Sequence, residues 1–214
     1  MADRRPLSRE RVIGAAVAIA DDEGIEAVSM RRVGQSLGVE AMSLYNHVDS
    51  KDDLVAGMVD SVAAAWRLPS TEGPWRRELE EAAESAARAI VAHPWAATLM
   101  LTPDHVGPAR LGFMDAVLSV LRESGFSAEM VHLAFHALDS HIVSTALRAA
   151  AYDDATTDEA ESGRAFIETL PAGAYPYLVE HIEWHAIAGE AEYTEFEFGL
   201  KLILDALERS LGET

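Results

Sequence analysis

Two groupings of side chains in this sequence have types and spacings that allow chemistry on a partner. Between Arg31 and Lys51 the chain sets Arg31, Arg32, Ser43, Tyr45, Asn46, His47 and Lys51 within a few helical turns. Guanidinium, ammonium, phenol and imidazole groups bind phosphate oxygens, while the hydroxyl of Ser43 and the carboxamide of Asn46 hydrogen-bond base edges. Ala41 and Met42 add apolar surface of the kind that packs on a thymine methyl. The chemistry on offer is recognition of duplex DNA. The second grouping is histidine: His132/His136 and His181/His185 are each spaced four apart, which suits two-point metal binding on a helix. With no cysteine and no glutamate at the HExxH position, satisfied or exposed histidines are expected there, and no metal site. Glu80/Glu84 read as a solvated helix face. No Gly-rich phosphate loop, Gly-x-Ser-x-Gly elbow or triad is present, so no enzymatic activity is expected.

Composition limits the rest. The chain has 214 residues, 17 Lys+Arg against 36 Asp+Glu, a formal charge of −19 and no cysteine. A content of 49% hydrophobic residues excludes disorder. Zero cysteine excludes disulfides and thiolate sites. The polar start, Met1 to Arg11, is unlike a signal peptide, and charges interrupt every apolar run, so a cytoplasmic protein with no membrane span is expected. Such acidity taken whole argues against a nucleic-acid partner. Its distribution along the chain points the other way. Residues 67–214 carry −15 of the charge and residues 1–66 only −4, and Arg4, Arg5, Arg9 and Arg11 face only Asp3 and Glu10 in the first eleven positions.

The elements that must hold these groups are helices throughout, because apolar residues recur at three and four and period-two runs are missing. Ser8 can cap a first helix with Val12, Ile13, Ala16, Val17 and Ala20 on one face. Ser29 can cap a second, in which Val33 and Leu37 are one turn apart, and Gly38 supplies the turn into a third over 40–46. Ser50 caps a fourth, with Val48 and Leu54 placed to staple its start, running to about Trp66. Two short helices joined by Leu37-Gly38-Val39 make a helix-turn-helix, whose second helix lies in the major groove. A helix-glycine-helix segment also occurs where no DNA is bound, with Tyr45 and His47 packed on the next helix. An acidic helical small-molecule-binding or interaction protein without sequence-specific DNA binding is therefore the competing reading. Beyond the breaker-rich stretch Arg67 to Pro74, helices are predicted near 75–93, 95–101, 108–124, 127–151, 174–187 and 193–211, with a solvated loop over 152–163.

Gly24-Ile25-Glu26-Ala27-Val28-Ser29-Met30-Arg31-Arg32-Val33-Gly34-Gln35-Ser36-Leu37-Gly38-Val39, followed by Ser43-Leu44-Tyr45-Asn46-His47-Val48 and Lys51-Asp52-Asp53-Leu54, resembles the DNA-binding domain of tetracycline-repressor (TetR) family regulators. In that family a Leu-Tyr-x-His element ends the recognition helix and the lysine opens the fourth helix against the phosphates. The resemblance covers about residues 8–66. It implies DNA contacts by Met30, Arg31, Ala41, Met42, Ser43, Tyr45, Asn46, His47 and Lys51. Met30 departs from the small polar residue often found there, and Ala41-Met42 is less polar than many recognition helices, so no operator sequence carries over.

The C-terminal part shows two coiled-coil-like seams. Val131, Phe135, Leu138 and Ile142 step by four and three, as do Phe196, Leu200, Ile203 and Leu207. Phe198, Leu202 and Ala206 make the last helix apolar on another face as well, which lets it pack on its own domain and on a partner subunit at once. The alternative is that both helices are merely central in a monomeric core. The run Glu195 to Glu208 resembles the final helix of the tetracycline-repressor regulatory domain, which implies a homodimer built on these seams as a four-helix interface. Candidate effector-lining residues are His93, Trp95, Met100, His105, Phe113, Met114, His136, Tyr175, Tyr177 and Trp184. In tetracycline repressors a histidine after the fifth helix helps hold the drug's magnesium. The matching place falls near Met100, a poor ligand for a hard cation, which argues against that effector. The sequence thus predicts an all-α chain. A helix-turn-helix DNA-binding domain spans 1–49, a connecting helix 50–66, and a ligand-binding and dimerisation domain 67–214. Its expected partners are double-stranded operator DNA, a small-molecule effector and a second copy, with no cofactor. Its expected role is a repressor released by the effector.

Overall fold

The computed structural model describes residues 6–102, 105–153, 159–187 and 194–212, and among these it contains eleven α-helices and no strand. Serines open three of the first four helices. Ser8 accepts from the Arg11 N–H at 3.3 Å ahead of α1 (Arg9–Glu23), and Ser29 from the Arg32 N–H at 3.2 Å ahead of α2 (Met30–Leu37). Ser50 accepts from the Asp53 N–H at 3.0 Å ahead of α4 (Lys51–Ala63). Each cap satisfies a backbone donor that the first turn leaves open. Between α2 and α4 lies α3, only Ala41–Leu44, shorter than the predicted 40–46. The chain continues past it in turns through His47. Val12, Ala16, Val33, Leu44, Val48 and Leu54 close the core of this N-terminal head.

The body comprises α5 (Trp75–Ala92), α6 (Pro94–Leu99), α7 (Pro108–Glu123), α8 (Ala128–Asp153), α9 (Glu159–Thr169), α10 (Pro176–Ile187) and α11 (Glu195–Gly212). Pro94 and Pro108 stand in the first turns of α6 and α7, where a missing N–H costs nothing. α8 packs on α5, α6, α7 and α11, while α9 and α10 pair with each other. The predicted loop over 152–163 is overturned in part: α8 runs to Asp153 and α9 opens at Glu159. Charged glutamates are good helix formers, and Gly163 lets α9 approach Ile182 of α10 closely. The remainder of that prediction, 154–158, lies outside the described residues.

Both seams face inward. Val131, Phe135, Leu138, Ile142, Leu200 and Leu207 are buried within the subunit, and Phe196 and Ile203 are half-buried against the same core. The six buried residues therefore close the subunit's own interior, against the expectation that they face a partner, while Phe196 and Ile203 keep part of their surface outside it. A three-four repeat marks the face a helix buries, whatever the neighbour. The outward faces of α8 and α11 carry other apolar side chains, Leu133, Phe198 and Leu202, each more than half exposed.

Head and body meet through α4, which packs on α1, α5, α6 and α7. Asp60 of α4 caps α7: its Oδ1 accepts from the Ala109 N–H at 2.9 Å and the Arg110 N–H at 3.3 Å. An acid placed at a helix N-terminus is favoured by the dipole as well as by these bonds. Gly107 permits the approach, since a Cβ there would lie 2.3 Å from the Asp60 carboxyl carbon. The stretch 67–74 is tied down too: the Arg67 N–H donates to Ser85 Oγ at 3.0 Å and the Ser70 N–H to Glu78 Oε2 at 3.0 Å.

Candidate functional site

The recognition segment is built from behind. Gly38 ends α2 in the left-handed region at φ 69°, ψ 30°, which only glycine adopts at no steric cost, and turns the chain into α3. Gly34 lets α3 sit directly on α2, for a Cβ there would meet the Val39 carbonyl at 2.9 Å and the Ala41 nitrogen at 3.2 Å. Leu44, fully buried, then pins α3 to the core. With that register fixed, the neighbouring positions point outward: Met42 is 73% and Tyr45 46% exposed. Arg31, Asn46 and Lys51 are exposed, and Ala41, Ser43 and His47 half-buried. A large thioether and a phenol held in solvent on so short a helix are unusual for folding alone and suited to a partner.

Two expectations change here. Met30, assigned a DNA contact by resemblance, is 8% exposed and belongs to the hydrophobic core, so its side chain packs the head. Arg32 is committed to Glu23 of α1 in an ion pair that raises its pKa and lowers that of Glu23. Arg31 and Lys51 have no ion pair among the described residues and remain the cations on this face.

A residue that sequence reading missed holds the segment in place. Arg9 of α1 grips Asp53 with both arms, Nη1 to Oδ2 at 2.8 Å and Nη2 to Oδ1 at 2.7 Å, and Nη1 also reaches the His47 carbonyl at 3.1 Å. Asp53 Oδ2 accepts in addition from the Asp49 N–H at 2.9 Å. The bidentate guanidinium lowers the Asp53 pKa to about 2, with the Asp49 N–H adding to it against partial burial. The sequence Ser50-x-x-Asp53 puts an acid in the first turn of α4 but carries no sign of its partner Arg9. His47, Asp49 and the base of Lys51 are thereby locked to α1.

The candidate effector residues do not converge. His93 Nδ1 lies 2.8 Å from Asp21 Oδ1, and Trp95 Nε1 donates to the same oxygen at 2.7 Å, so both tie α6 to α1 of the head. His105 bonds Thr102 Oγ1 at 2.6 Å. Met100 is buried, with its carbonyl taken by the Arg110 guanidinium. His136 stands exposed with its ring 4.6 Å from that of His132. Tyr175 and Tyr177 at the start of α10, and Trp184 along it, are exposed. Met114 is half-buried at the core edge. Phe113 alone of the ten lines the interior cavity, about 10 Å³ between α5, α7 and α8, with Leu79, Phe135, Leu138, Asp139 and Ile142. A larger open hollow of about 690 Å³ lies between α5, α8 and the first turn of α11, beside Arg88, Thr145 and Phe196. No group of three or more metal-ligating side chains gathers among the described residues, and the side chain of His185 lies outside them.

Residues 12–58 match the family described as bacterial regulatory proteins, tetR family, and residues 68–211 the tetracyclin repressor-like C-terminal domain. The HTH-type transcriptional repressor DrrR1 of Streptomyces coeruleorubidus is 32% identical over 94% of this chain and 77% of its own length. The class E tetracycline repressor of Escherichia coli is 29% identical over 97% of this chain and 93% of its own. The crystal structure of ActR from Streptomyces coelicolor in complex with actinorhodin superposes with a TM-score of 0.79 at 28% identity, covering 97% of this chain and all of that one. With both halves matched and the recognition helix displayed, the chain belongs to the TetR family of helix-turn-helix transcriptional regulators.

Proposed function

We propose that the chain is a repressor that binds a pseudo-palindromic operator as a homodimer in the cytoplasm and is released by a small molecule bound in its body. The observation that carries this reading is the rigid display of Met42, Tyr45 and Asn46 around a fully buried Leu44. Ser43 and Asn46 would read base edges, with Ala41 and Met42 against thymine methyls. Arg31, Tyr45, His47 and Lys51 would hold phosphates. One such helix reads only a few base pairs, so a two-fold pair with heads about 34–36 Å apart is needed. The outward apolar side chains Leu133, Phe198 and Leu202 are the surface proposed to join the two copies. The relatives support the effector half of the reading, ActR having been solved with actinorhodin.

Selection on random duplexes followed by gel shift tests it: enrichment of a palindrome is expected, and none would overturn the DNA-binding assignment. Lys51→Ala should weaken binding to all sequences alike and flatten the salt slope by about one.

A further inference from the structure

The described residues contain two buried side-chain nitrogens without a hydrogen-bond partner, Arg110 Nε and Trp66 Nε1, and both residues are only 7% exposed. Both atoms are donors and neither can accept. They belong to one neighbourhood. The Trp66 ring meets Phe113 edge-on with centroids 4.9 Å apart, and Phe113 follows Arg110 by one turn of α7. Phe113 also lines the interior cavity together with Asp139, the acid facing Arg110. The guanidinium is used on one side only. Its Nη1 donates to the Met100 carbonyl, whereas Nη2 stands 3.6 Å from Asp139 Oδ1, too far for a hydrogen bond. The Nε/Nη2 edge, the one that grips a carboxylate with two parallel bonds, is therefore unfilled.

We infer that the effector is an aromatic carboxylate whose anion takes the Nε/Nη2 edge of Arg110 while its ring lies among Phe113, Phe135 and Leu138. This rests on the effector reading above and names the chemical class for it. A buried cation with a distant counter-ion gains most from a second anion, and Trp66 Nε1 supplies a further donor beside the ring. The Asp139 side chain is one-third exposed, so once displaced it turns to solvent at little cost. The cavity of about 10 Å³ holds roughly one water, so a ring must part the packing, and Met100, whose carbonyl the Arg110 guanidinium holds, is a side chain that repacks readily. The anchoring residue also touches the lever: the Arg110 backbone N–H is one of the two bonds from α7 to Asp60 of α4. An effector that draws Arg110 toward itself pulls on the helix that carries Lys51.

The experiment is thermal shift and calorimetry on the full chain without DNA. Its probes are benzoate, 2-naphthoate and anthraquinone-2-carboxylate, each beside its own primary carboxamide. At least one carboxylate is expected to bind about tenfold or more tighter than its carboxamide, the loss of a charge-assisted pair. Arg110→Met should abolish that preference, Arg110→Lys should keep part of it, and Trp66→Phe should weaken binding with the ring contact retained. The inference is overturned if no carboxylate outbinds its carboxamide, or if Arg110→Met and Arg110→Lys both leave the preference unchanged. Enrichment of a palindrome with no carboxylate preference defeats this inference alone, and the converse result defeats only the DNA reading.

Discussion

Head and body treat their buried polar groups in opposite ways. In the head, α1 to α4, each functional side chain is held by groups that are themselves satisfied, and no buried side-chain donor or acceptor among the described residues is left open. Arg9 is bidentate on Asp53, serines cap three helices, and Leu44 fixes the register of α3. In the body Arg110 keeps an unpaired donor in the interior, and Trp66, just past the end of α4 where head joins body, keeps another. A surface that reads a fixed duplex gains from being finished before contact, because no ordering remains to be done on binding. A site that must respond to a ligand gains from an interior that is incomplete without it.

The largest expected effect tests how finished the head is. Leu44→Ala removes a fully buried side chain and should cost about 2–5 kcal/mol, seen as an early head transition in urea melts followed by circular dichroism. DNA binding should vanish while the body transition stays in place. A single shifted transition would mean that head and body melt as one unit. Next comes the joint between them. Asp60→Ala removes the cap of α7 and should cost about 1–2 kcal/mol. Because the cap belongs to both regions, the variant should also bind its operator with altered response to effector. An unchanged release curve would show that the signal travels elsewhere.

The difference between the regions also explains what the sequence disclosed. The recognition surface lies in one contiguous stretch, so serine caps, the glycine turn and the outward positions on α3 could be read residue by residue. The predicted 75–93 and 108–124 come within a residue of α5 and α7, whereas 95–101 starts one residue late and runs two residues past the end of α6. What stayed hidden is made by tertiary contact. Arg9 meets Asp53 across 44 positions and Asp60 meets Ala109 across 49, and no local pattern signals either pair. Met30 illustrates the limit of resemblance: matching a position in a family motif does not tell which way its side chain turns. The seams of α8 and α11 show the limit of periodicity, which identifies a buried face without saying whether the subunit or its partner buries it.

Acid sensitivity should separate the regions further. Asp53 titrates at about 2 in the folded head against an ordinary value of 3.8. Its contribution is therefore present in full above pH 4 and is lost as pH falls through about 2, because the unfolded chain takes up its proton first. The pair is partly exposed, which limits its worth to about 1 kcal/mol after solvent screening. Asp53→Asn should lower head stability by that amount at pH 7 and flatten its pH dependence between 4 and 2. Operator affinity should fall with it, since His47 and Lys51 lose their brace. A variant with weakened stability but unaltered affinity would reduce the Arg9 clamp to a folding device.

The smallest expected effect is the sharpest contrast. Arg110 is more deeply buried than Arg9, and by burial alone its removal ought to cost more. Its charge, however, is poorly compensated: one carbonyl, one carboxylate at 3.6 Å and an empty Nε. Removing one partner of a buried ion pair is costly where the other charge stays buried. Here the Asp139 side chain is one-third exposed and turns to solvent. The loss is confined to the bond with the Met100 carbonyl and is offset by the guanidinium's removed desolvation penalty. Arg110→Met should therefore change the unfolding free energy by less than about 1 kcal/mol, in either direction, in the same urea melts. A loss of several kcal/mol would mean that the arginine is a structural keystone like Leu44, and that the body is as finished as the head. A near-zero change, beside the cost of Asp53→Asn at a far more exposed pair, identifies Arg110 as a residue kept for something other than stability.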